Sequence, residues 1–515
     1  MPEKPRTPQK PQTLPTLQTL RKPTKPWTPR KPRKPRPSGR RPLLAACAAF
    51  ALLSAALVPF TLSLGWDEIV YASRFPPYAP ATPFSAPRTR GVPVLIAPVA
   101  AWSDSVVLLR VWLTLLATAA LYLGFRPWLR VLAHRPAAVG VAAGLYGSLW
   151  FALFYANAAM PNHYTAMGIT AAVGLFLGAG PGRLALAGIA AGLALAALMR
   201  PNDGAAVAAA LLLAALAVPV WRTRGRIIAV AGGVAAGLLP WIVEAYVRFG
   251  GVRERLTDAS DVQGGLRPLA AIEAQFTALD GPLLCRPCDA DRLRVPAAEW
   301  WILLPLLVAA GLWAVRRAVD GSERATRRAL WLAVAVALAA ALPYLLLVPY
   351  GAPRFLLPAH ALLAVPAAVG VLAVADRARR ALTVALAVLL VAHLAVQLPL
   401  TFGNARIQTG ARGDWARITD VLYAQGVRAP CLLKGNTSVI PIAYVSGCSA
   451  AHRDDRRRPA ALVLREKEPP RWARDWRRHP VPDTYAPGWT VFLPPPAAGA
   501  NRSTALRNTA PDMRS

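Results

Sequence analysis

The sequence is poor in cysteine and in acidic residues. Among 515 residues there are five Cys, and 26 Asp and Glu against 59 Lys and Arg. The most closely spaced cysteines, Cys285 and Cys288, supply only two of the four ligands that a closed zinc site requires. Cysteines and carboxylates therefore give no support to a metal site.

The sequence also lacks the signatures of nucleotide and nucleic-acid binding. No Gly-rich fingerprint opens a strand-to-helix unit, so nothing predicts a nucleotide-binding fold. The net charge of +33 invites a nucleic-acid partner. The basic residues, however, cluster at predicted membrane boundaries and in a tail, without aromatic stacking platforms or a recognisable binding motif. We therefore expect no nucleic-acid partner.

Apolar residues are abundant, at 55% of the chain, and the mean hydropathy is +0.35. An apolar chain with this much basic charge is typical of a polytopic membrane protein whose charge lies in loops and tails. Heavy use of Ala, Arg and Pro is typical of a GC-rich bacterial genome, such as an actinobacterial one. We therefore expect a multi-pass protein of a bacterial plasma membrane.

Apolar runs separated by Arg-rich or Pro/Gly-rich breaks predict an all-α bundle of about eleven transmembrane helices, since about 20 apolar residues cross a bilayer. Basic residues are enriched in cytoplasmic loops, and the clusters at 126–135, 222–226, 316–328 and 377–380 agree with a cytoplasmic N-terminus. The predicted spans lie near 43–64, 105–124, 137–156, 165–179, 184–199, 204–220, 227–247, 299–315, 328–348, 355–374 and 380–399.

Four regions follow from this topology. Residues 1–41 hold 13 Lys and Arg but one Glu, which predicts a disordered basic cytoplasmic tail. Residues 42–399 form the membrane domain, 400–495 a small extracytoplasmic α/β domain, and 496–515 a disordered tail. Within the external domain we expect a helix over 414–425 and strands over 429–433, 460–464 and 490–493.

The topology puts four cysteines on the external side, where disulfides can form. Cys285 and Cys288 lie between spans seven and eight, Cys431 and Cys448 lie in the C-terminal region, and Cys47 lies within the first span. The Cys-Arg-Pro-Cys segment has the spacing of a redox pair. Without a thioredoxin-like context, a structural disulfide or two free thiols is favoured there.

Two adjacent carboxylates follow the first span, in the segment Gly-Trp-Asp-Glu-Ile-Val-Tyr at 65–71. Asp67 and Glu68 are either solvated loop charges or part of a functional site. The flanks favour function, because two interfacial aromatics share the segment and Arg88 and Arg90 follow in the same loop. A carboxylate at the lipid surface can deprotonate a hydroxyl while arginines hold a phosphate.

Three further polar features are predicted to converge on the external side. They are His163, the Arg-Pro-Asn-Asp-Gly turn at 200–204, and Arg354. Each has a structural alternative. His163 could satisfy the polar groups of a turn, and the turn at 200–204 could only end one helix and begin the next. Arg354 could extend its side chain to the membrane interface. Polar groups gathered on one face of an apolar bundle usually mark a site, which favours a shared function.

These segments resemble those of the GT-C superfamily of membrane glycosyltransferases. That superfamily includes protein O-mannosyltransferases, lipid A aminoarabinose transferases and actinobacterial mannosyl- and arabinosyltransferases. The acidic segment 65–71, the turn at 200–204 and the Gly-Ala-Pro-Arg-Phe-Leu-Leu-Pro segment at 351–358 carry the resemblance, which covers the layout of residues 43–399. It implies an inverting hexosyl- or pentosyltransferase of the cell envelope, mannosyltransferase-like, that uses a polyprenyl-phosphate sugar on the outer face.

The resemblance also implies roles for individual residues. Asp67 would be the general base that deprotonates the acceptor hydroxyl, and Glu68 would orient the acceptor or support the base. No metal and no other cofactor is expected, and the partners are the lipid-linked sugar, membrane lipids and a glycan, lipid or protein acceptor. The residues expected to bind the lipid phosphate are Arg88, Arg90, His163, Arg200 and Arg354.

Two other functional classes remain open. The number of spans and their intramembrane Pro and Gly residues are also typical of a secondary transporter or lipid flippase. Against this class, the polar residues are predicted at the external ends of the helices, and no internal repeat is convincing. A non-catalytic envelope scaffold, acting through its tail and external domain, is the third hypothesis, and it predicts that Asp67 is dispensable.

Overall fold

The structure is a computed structural model that describes residues 39–495, except 79, 179, 181, 282, 285–294, 318–319, 378–379 and 452–454. The described residues belong to one compact unit that begins at Gly39. Almost all of the predicted N-terminal tail, the C-terminal tail 496–515, and the pair Cys285 and Cys288 lie outside the described residues.

The described chain is mostly helical. Its α-helices are α1 (Arg40–Leu57), α2 (Trp66–Ala72), α3 (Gly91–Ala100), α4 (Val106–Phe125), α5 (Trp128–Val131), α6 (Ala137–Gly147), α7 (Trp150–Phe154), α8 (Asn162–Phe176), α9 (Arg183–Met199), α10 (Pro201–Ala217), α11 (Arg224–Arg248), α12 (Val252–Val262), α13 (Ile272–Thr277), α14 (Glu299–Ala314), α15 (Gly321–Leu346), α16 (Leu357–Arg377), α17 (Arg380–Ala424) and α18 (Val439–Val445).

Each predicted span overlaps one of these helices, which confirms a multi-pass, largely helical membrane architecture. In the described ranges, seven helices are long and apolar enough to cross a membrane. Four other apolar helices, among them α6, α9 and α10, have only 10 to 17 residues. The count of eleven spans therefore stays a prediction.

The third predicted span is interrupted. Helix α6 ends at Gly147 and α7 begins at Trp150. The backbone N–H of Trp150 starts the new helix and donates to Oε1 of Gln397 on α17, at 2.8 Å. Because a side chain from another helix satisfies this buried donor, the break is tolerated inside the apolar bundle.

The last predicted span and the helix predicted over 414–425 form one continuous helix, α17, of 45 residues. The polar stretch after Pro399 indicated a break. Instead, Thr401 and Asn404 donate to the carbonyls of Gln397 and Leu400 on their own helix, so their polar groups are satisfied without ending it. The helix therefore runs from the bundle into the C-terminal domain.

The C-terminal domain contains a five-stranded sheet in the order β2-β1-β3-β5-β4. Strand β1 is parallel to β2 and β3, whereas β5 is antiparallel to β3 and β4. Cys431 and Cys448, just before β1 and β2, form a disulfide. The strands are β1 (Leu432–Gly435), β2 (Ser449–Ala450), β3 (Ala461–Arg465), β4 (Arg477–Pro480) and β5 (Trp489–Leu493), and the three predicted strands correspond to β1, β3 and β5.

One face of this sheet packs against the membrane domain. Leu433 and Val463 share a buried apolar cluster with Ile69 of α2, Leu113 of α4 and Ile418 of α17. Helix α2 therefore lies between the bundle and the C-terminal domain and contacts both. This position fixes the orientation of the acidic segment.

Helices α14 and α16 approach each other closely through two glycines. A Cβ atom on Gly311 would lie 1.9 Å from the carbonyl oxygen of Pro366, and one on Gly370 would lie 2.2 Å from that of Leu307. Small residues allow such backbone contact between membrane helices.

We predict that Gly311→Ala destabilises the protein by about 1–3 kcal/mol, because the added methyl group overlaps a backbone atom. Thermal unfolding in detergent measures the effect. Gly232→Ala is the matched control, since its Cβ would meet no atom within 4 Å. Equal unfolding temperatures for the two variants would contradict the close α14–α16 contact.

Candidate active site

Helix α2 presents its two carboxylates to different environments. Residues adjacent in a helix point about 100° apart, so Asp67 and Glu68 cannot share one face. The Glu68 side chain turns inward and accepts a hydrogen bond from the Gly65 backbone N–H at 2.7 Å, which caps the helix. The Asp67 side chain remains one-third exposed.

Glu68 lies at the centre of a buried ion cluster. Nη2 of Arg110 on α4 donates to Oε2 at 2.9 Å, and Nη1 of Arg412 on α17 lies 3.3 Å from the same oxygen. Oε1 also contacts Arg110 and accepts from the Ala159 backbone N–H at 2.8 Å. Both oxygens are therefore occupied, and this geometry indicates a structural role for Glu68 instead of the expected catalytic one.

Burial alone would raise the pKa of the Glu68 carboxyl, but the ion pairs with Arg110 and Arg412 outweigh it and lower the pKa from 4.5 to about 2. A depressed pKa means that the folded state favours the charged form. The stabilisation is therefore complete above about pH 4.5 and is lost as the pH falls towards 2.

Asp67 faces two arginines. Its Oδ1 accepts from Nη2 of Arg88 at 2.5 Å, and its Oδ2 lies 3.7 Å from Nη2 of Arg354. Nη1 of Arg354 is anchored by the Tyr155 hydroxyl at 3.1 Å and by the Leu283 carbonyl at 2.7 Å. The structure thus brings together three of the residues predicted from the sequence.

These arginines have unused hydrogen-bonding capacity. Nε of Arg88 and Nε of Arg354 are buried without a hydrogen-bond acceptor in the described structure. Buried donors without partners are rare and costly, because they lose their water without compensation. Two such donors beside a single carboxylate are suited to a bound anion with several oxygens.

Arg200 adjoins this group. It forms an ion pair with Asp203, with an N–O distance of 2.9 Å, and donates to the Tyr344 hydroxyl. Its guanidinium lies 4.8 Å from the Phe355 ring, and that of Arg354 lies 5.2 Å from the same ring. Two cations therefore lie close to the same aromatic side chain.

Tyr71 lies buried among these charges. Burial raises the pKa of its hydroxyl to about 12, and the charges of Arg88, Asp67, Arg200 and Arg354 all act on it. The hydroxyl therefore stays protonated near neutral pH and can donate a hydrogen bond. Its interfacial position was expected from the sequence, but its membership of this group was not.

Arg90 belongs to a different cluster, although it lies only two residues after Arg88. Its Nε donates to Oε1 of Glu244 on α11 at 3.0 Å, and its guanidinium lies 4.3 Å from the Phe84 ring. Glu244 also pairs with Arg255 at 3.0 Å. The geometry therefore does not support the expected role of Arg90 beside Asp67.

His163 lies in the apolar core. One ring nitrogen is 2.9 Å from the Tyr146 hydroxyl and the other 2.9 Å from the Ala117 carbonyl, and the ring stacks on Phe50. Both nitrogens are occupied, and no contact with Asp67 or Arg354 is present in the described structure. The geometry supports the structural alternative, a satisfied core histidine.

Several residues of the site were missed in the sequence. Arg110 is a charge within an apolar span, and such charges usually have a functional or structural partner, so a signal existed. Arg412, Tyr155 and Tyr344 carry no comparable signal. Among the described residues, no group of three or more His, Cys, Asp or Glu could hold a metal ion.

Two solved structures of one protein align with almost the whole chain. ArnT from Cupriavidus metallidurans bound to undecaprenyl phosphate superposes with a TM-score of 0.55 and 14% identity, covering 87% of this chain and 97% of ArnT. The apo state of ArnT gives 0.55 and 15%, covering 88% and 98%. The chain has the ArnT fold.

The fold shared with ArnT confirms the resemblance noted in the sequence, at the level of the fold alone. The archaeal oligosaccharyltransferase AglB from Archaeoglobus fulgidus, in complex with an inhibitory peptide and a dolichol-phosphate, aligns over 79% of this chain and 64% of its own, with 13% identity. Its TM-score of 0.45 is too low to support a shared fold. No protein-family model and no curated protein matches the sequence significantly.

We predict that Glu68→Gln destabilises the protein strongly, whereas Asp67→Asn has little effect on its stability. Removing the Glu68 charge leaves two buried arginines unpaired, which should cost about 3–5 kcal/mol. Asp67 is partly exposed, so its amide variant should unfold within about 1 kcal/mol of the parent. Thermal unfolding in detergent compares them, and an unaffected Glu68→Gln protein would rule out the structural role.

Proposed function

We propose that the chain is a membrane glycosyltransferase that moves a sugar from a polyprenyl-phosphate donor to an acceptor hydroxyl on the extracytoplasmic face. The observation that carries this proposal is Asp67, a partly exposed carboxylate flanked by Arg88 and Arg354. Its support is the fold shared with a protein that binds undecaprenyl phosphate.

Asp67 is the proposed general base. The acceptor oxygen forms a bond to the anomeric carbon while the bond from that carbon to the phosphate oxygen breaks. The hydroxyl proton passes to Asp67, and the bonding electrons leave with the polyprenyl phosphate. Attack opposite the departing phosphate inverts the anomeric carbon, whether the sugar is a hexose or a pentose.

The arginines are the proposed phosphate site. A guanidinium offers a planar fork that matches two phosphate oxygens, and the unused Nε donors of Arg88 and Arg354 are available for this purpose. A bound phosphate competes with Asp67 for Arg88, because both anions need the same donors. Donor binding thereby frees a carboxylate oxygen to accept the acceptor proton.

Three arginines near one position also offset the charge that develops on the departing phosphate. Arg200 and Arg354 both lie close to the Phe355 ring and are largely buried, where such charges act strongly. We therefore propose that the transfer requires no metal ion. An assay with a chelator present should give the same rate.

We predict that Asp67→Asn lowers kcat by about 100-fold or more, since a positioned base contributes about 10²–10⁴. The purified protein is assayed for transfer of radiolabelled sugar from a polyprenyl-phosphate donor, and cells are analysed for accumulated donor. Asp104→Asn, an exposed carboxylate of the same external loop, is the control. Full transfer activity of Asp67→Asn would exclude this base, whereas no transfer by either the parent or the variant would favour the scaffold hypothesis.

We predict that Arg354→Lys lowers activity by about 10-fold or more, because a lysine keeps the charge but loses the two-pronged geometry. Arg90→Lys is the matched control, since it keeps the pair with Glu244 and lies in another cluster. Donor affinity and kcat are measured for both. A normal Arg354→Lys enzyme together with an impaired Arg90→Lys enzyme would move the phosphate site to Arg90.

A further inference from the structure

The external sheet has a second face that the site does not use. The inner face packs against α2 and the bundle, so the outer face points away from them. Strand register places Lys434 opposite Leu462, Leu462 opposite Phe492, and Phe492 opposite Arg478. These four side chains therefore form one row across β1, β3, β5 and β4, with a cation at each end.

An exposed tryptophan lies over this outer face. The short helix Arg471–Ala473 covers a small apolar cluster that includes Leu462 and Phe492. Trp472 in this helix is 51% exposed, and its ring makes an edge contact with Trp476 at 5.3 Å. Nζ of Lys434 lies 5.8 Å from the Trp472 ring centre. An indole surface and a cation therefore lie side by side.

The surrounding chain is strongly basic. Residues 455–480 contain nine Lys and Arg against four Asp and Glu. Two of the acidic residues, Asp455 and Glu466, are paired with the neighbouring Arg457 and Arg465. Four exposed arginines make no ion pair within the described part of the chain: Arg471, Arg474, Arg477 and Arg478.

We propose that this outer surface, formed by Lys434, Trp472, Arg474 and Arg478, binds an anionic polysaccharide. The apolar face of a sugar ring stacks on an exposed indole, and carboxylate or phosphate substituents pair with the arginine forks. A lipid surface fits less well, because the opposite face of the same sheet is the one that packs on the membrane domain. The further claim that this polymer is the acceptor of the transferred sugar rests on the proposed function. Its binding to the outer surface does not depend on that function.

The test uses the full-length protein in detergent, titrated with oligogalacturonate and followed by calorimetry, with neutral dextran and phosphatidylglycerol vesicles as the other ligands. Trp472→Ala and the pair Lys434→Gln and Arg478→Gln should each weaken oligogalacturonate binding by about 10-fold, which is about 1.4 kcal/mol. Arg428→Gln, an exposed arginine whose guanidinium lies against the Tyr423 ring, should leave it unchanged. Thermal unfolding checks that Trp472→Ala remains folded, and the charge variants do not remove apolar core.

The same titration is repeated on Asp67→Asn, which should bind the polymer normally. Normal polymer binding without sugar transfer would support the proposed binding surface even if the proposed enzyme function fails. Sugar transfer without polymer binding would support the enzyme function and exclude the binding surface. No saturable binding, unchanged affinity in the variants, or a preference for the vesicles would each overturn the proposal. The last result would assign the surface to membrane lipid.

Discussion

The buried pairing of Glu68 with Arg110 and Arg412 is the interaction on which the rest of the structure depends. It joins α2 to α4 and to the long helix α17. A buried charge is expensive unless partners and hydrogen bonds compensate it, and Glu68 has both. Because α2 is held in this way, the preceding carboxylate, Asp67, points towards the arginines of the site.

The site around Asp67 differs from the Glu68 cluster because some of its buried donors have no acceptor in the described structure. Asp67 is outnumbered by the guanidinium groups around it, and two of their donors lack an acceptor. Such an arrangement is unfavourable in the protein alone, and a multivalent anion relieves it. The membrane domain supplies rigidity, since Arg354 is anchored by Tyr155 and Leu283. An anion site built on anchored side chains needs little reorganisation when charge develops.

Much of the fold could be predicted from hydropathy, because every predicted span overlaps a helix, although the third span is divided between α6 and α7. The pairing of Asp67 with Arg88 and Arg354 followed from the topology, which placed all three on one side. The different environments of Asp67 and Glu68 could not be predicted in this way, since the partner Arg412 is 344 residues away from Glu68. The separation of Arg90 from Arg88 also did not follow from the topology, because it depends on the turn that begins α3.

The central claim is that Arg88 and Arg354 receive the phosphate of a lipid-linked donor next to Asp67. The most direct measurement is an experimental structure of the full-length protein in a nanodisc with bound polyprenyl phosphate. The account predicts phosphate oxygens within hydrogen-bond distance of both guanidinium groups, with Asp67 released from Arg88. A phosphate seated at Arg90 and Glu244, or one that leaves the Asp67–Arg88 pair intact, would contradict it.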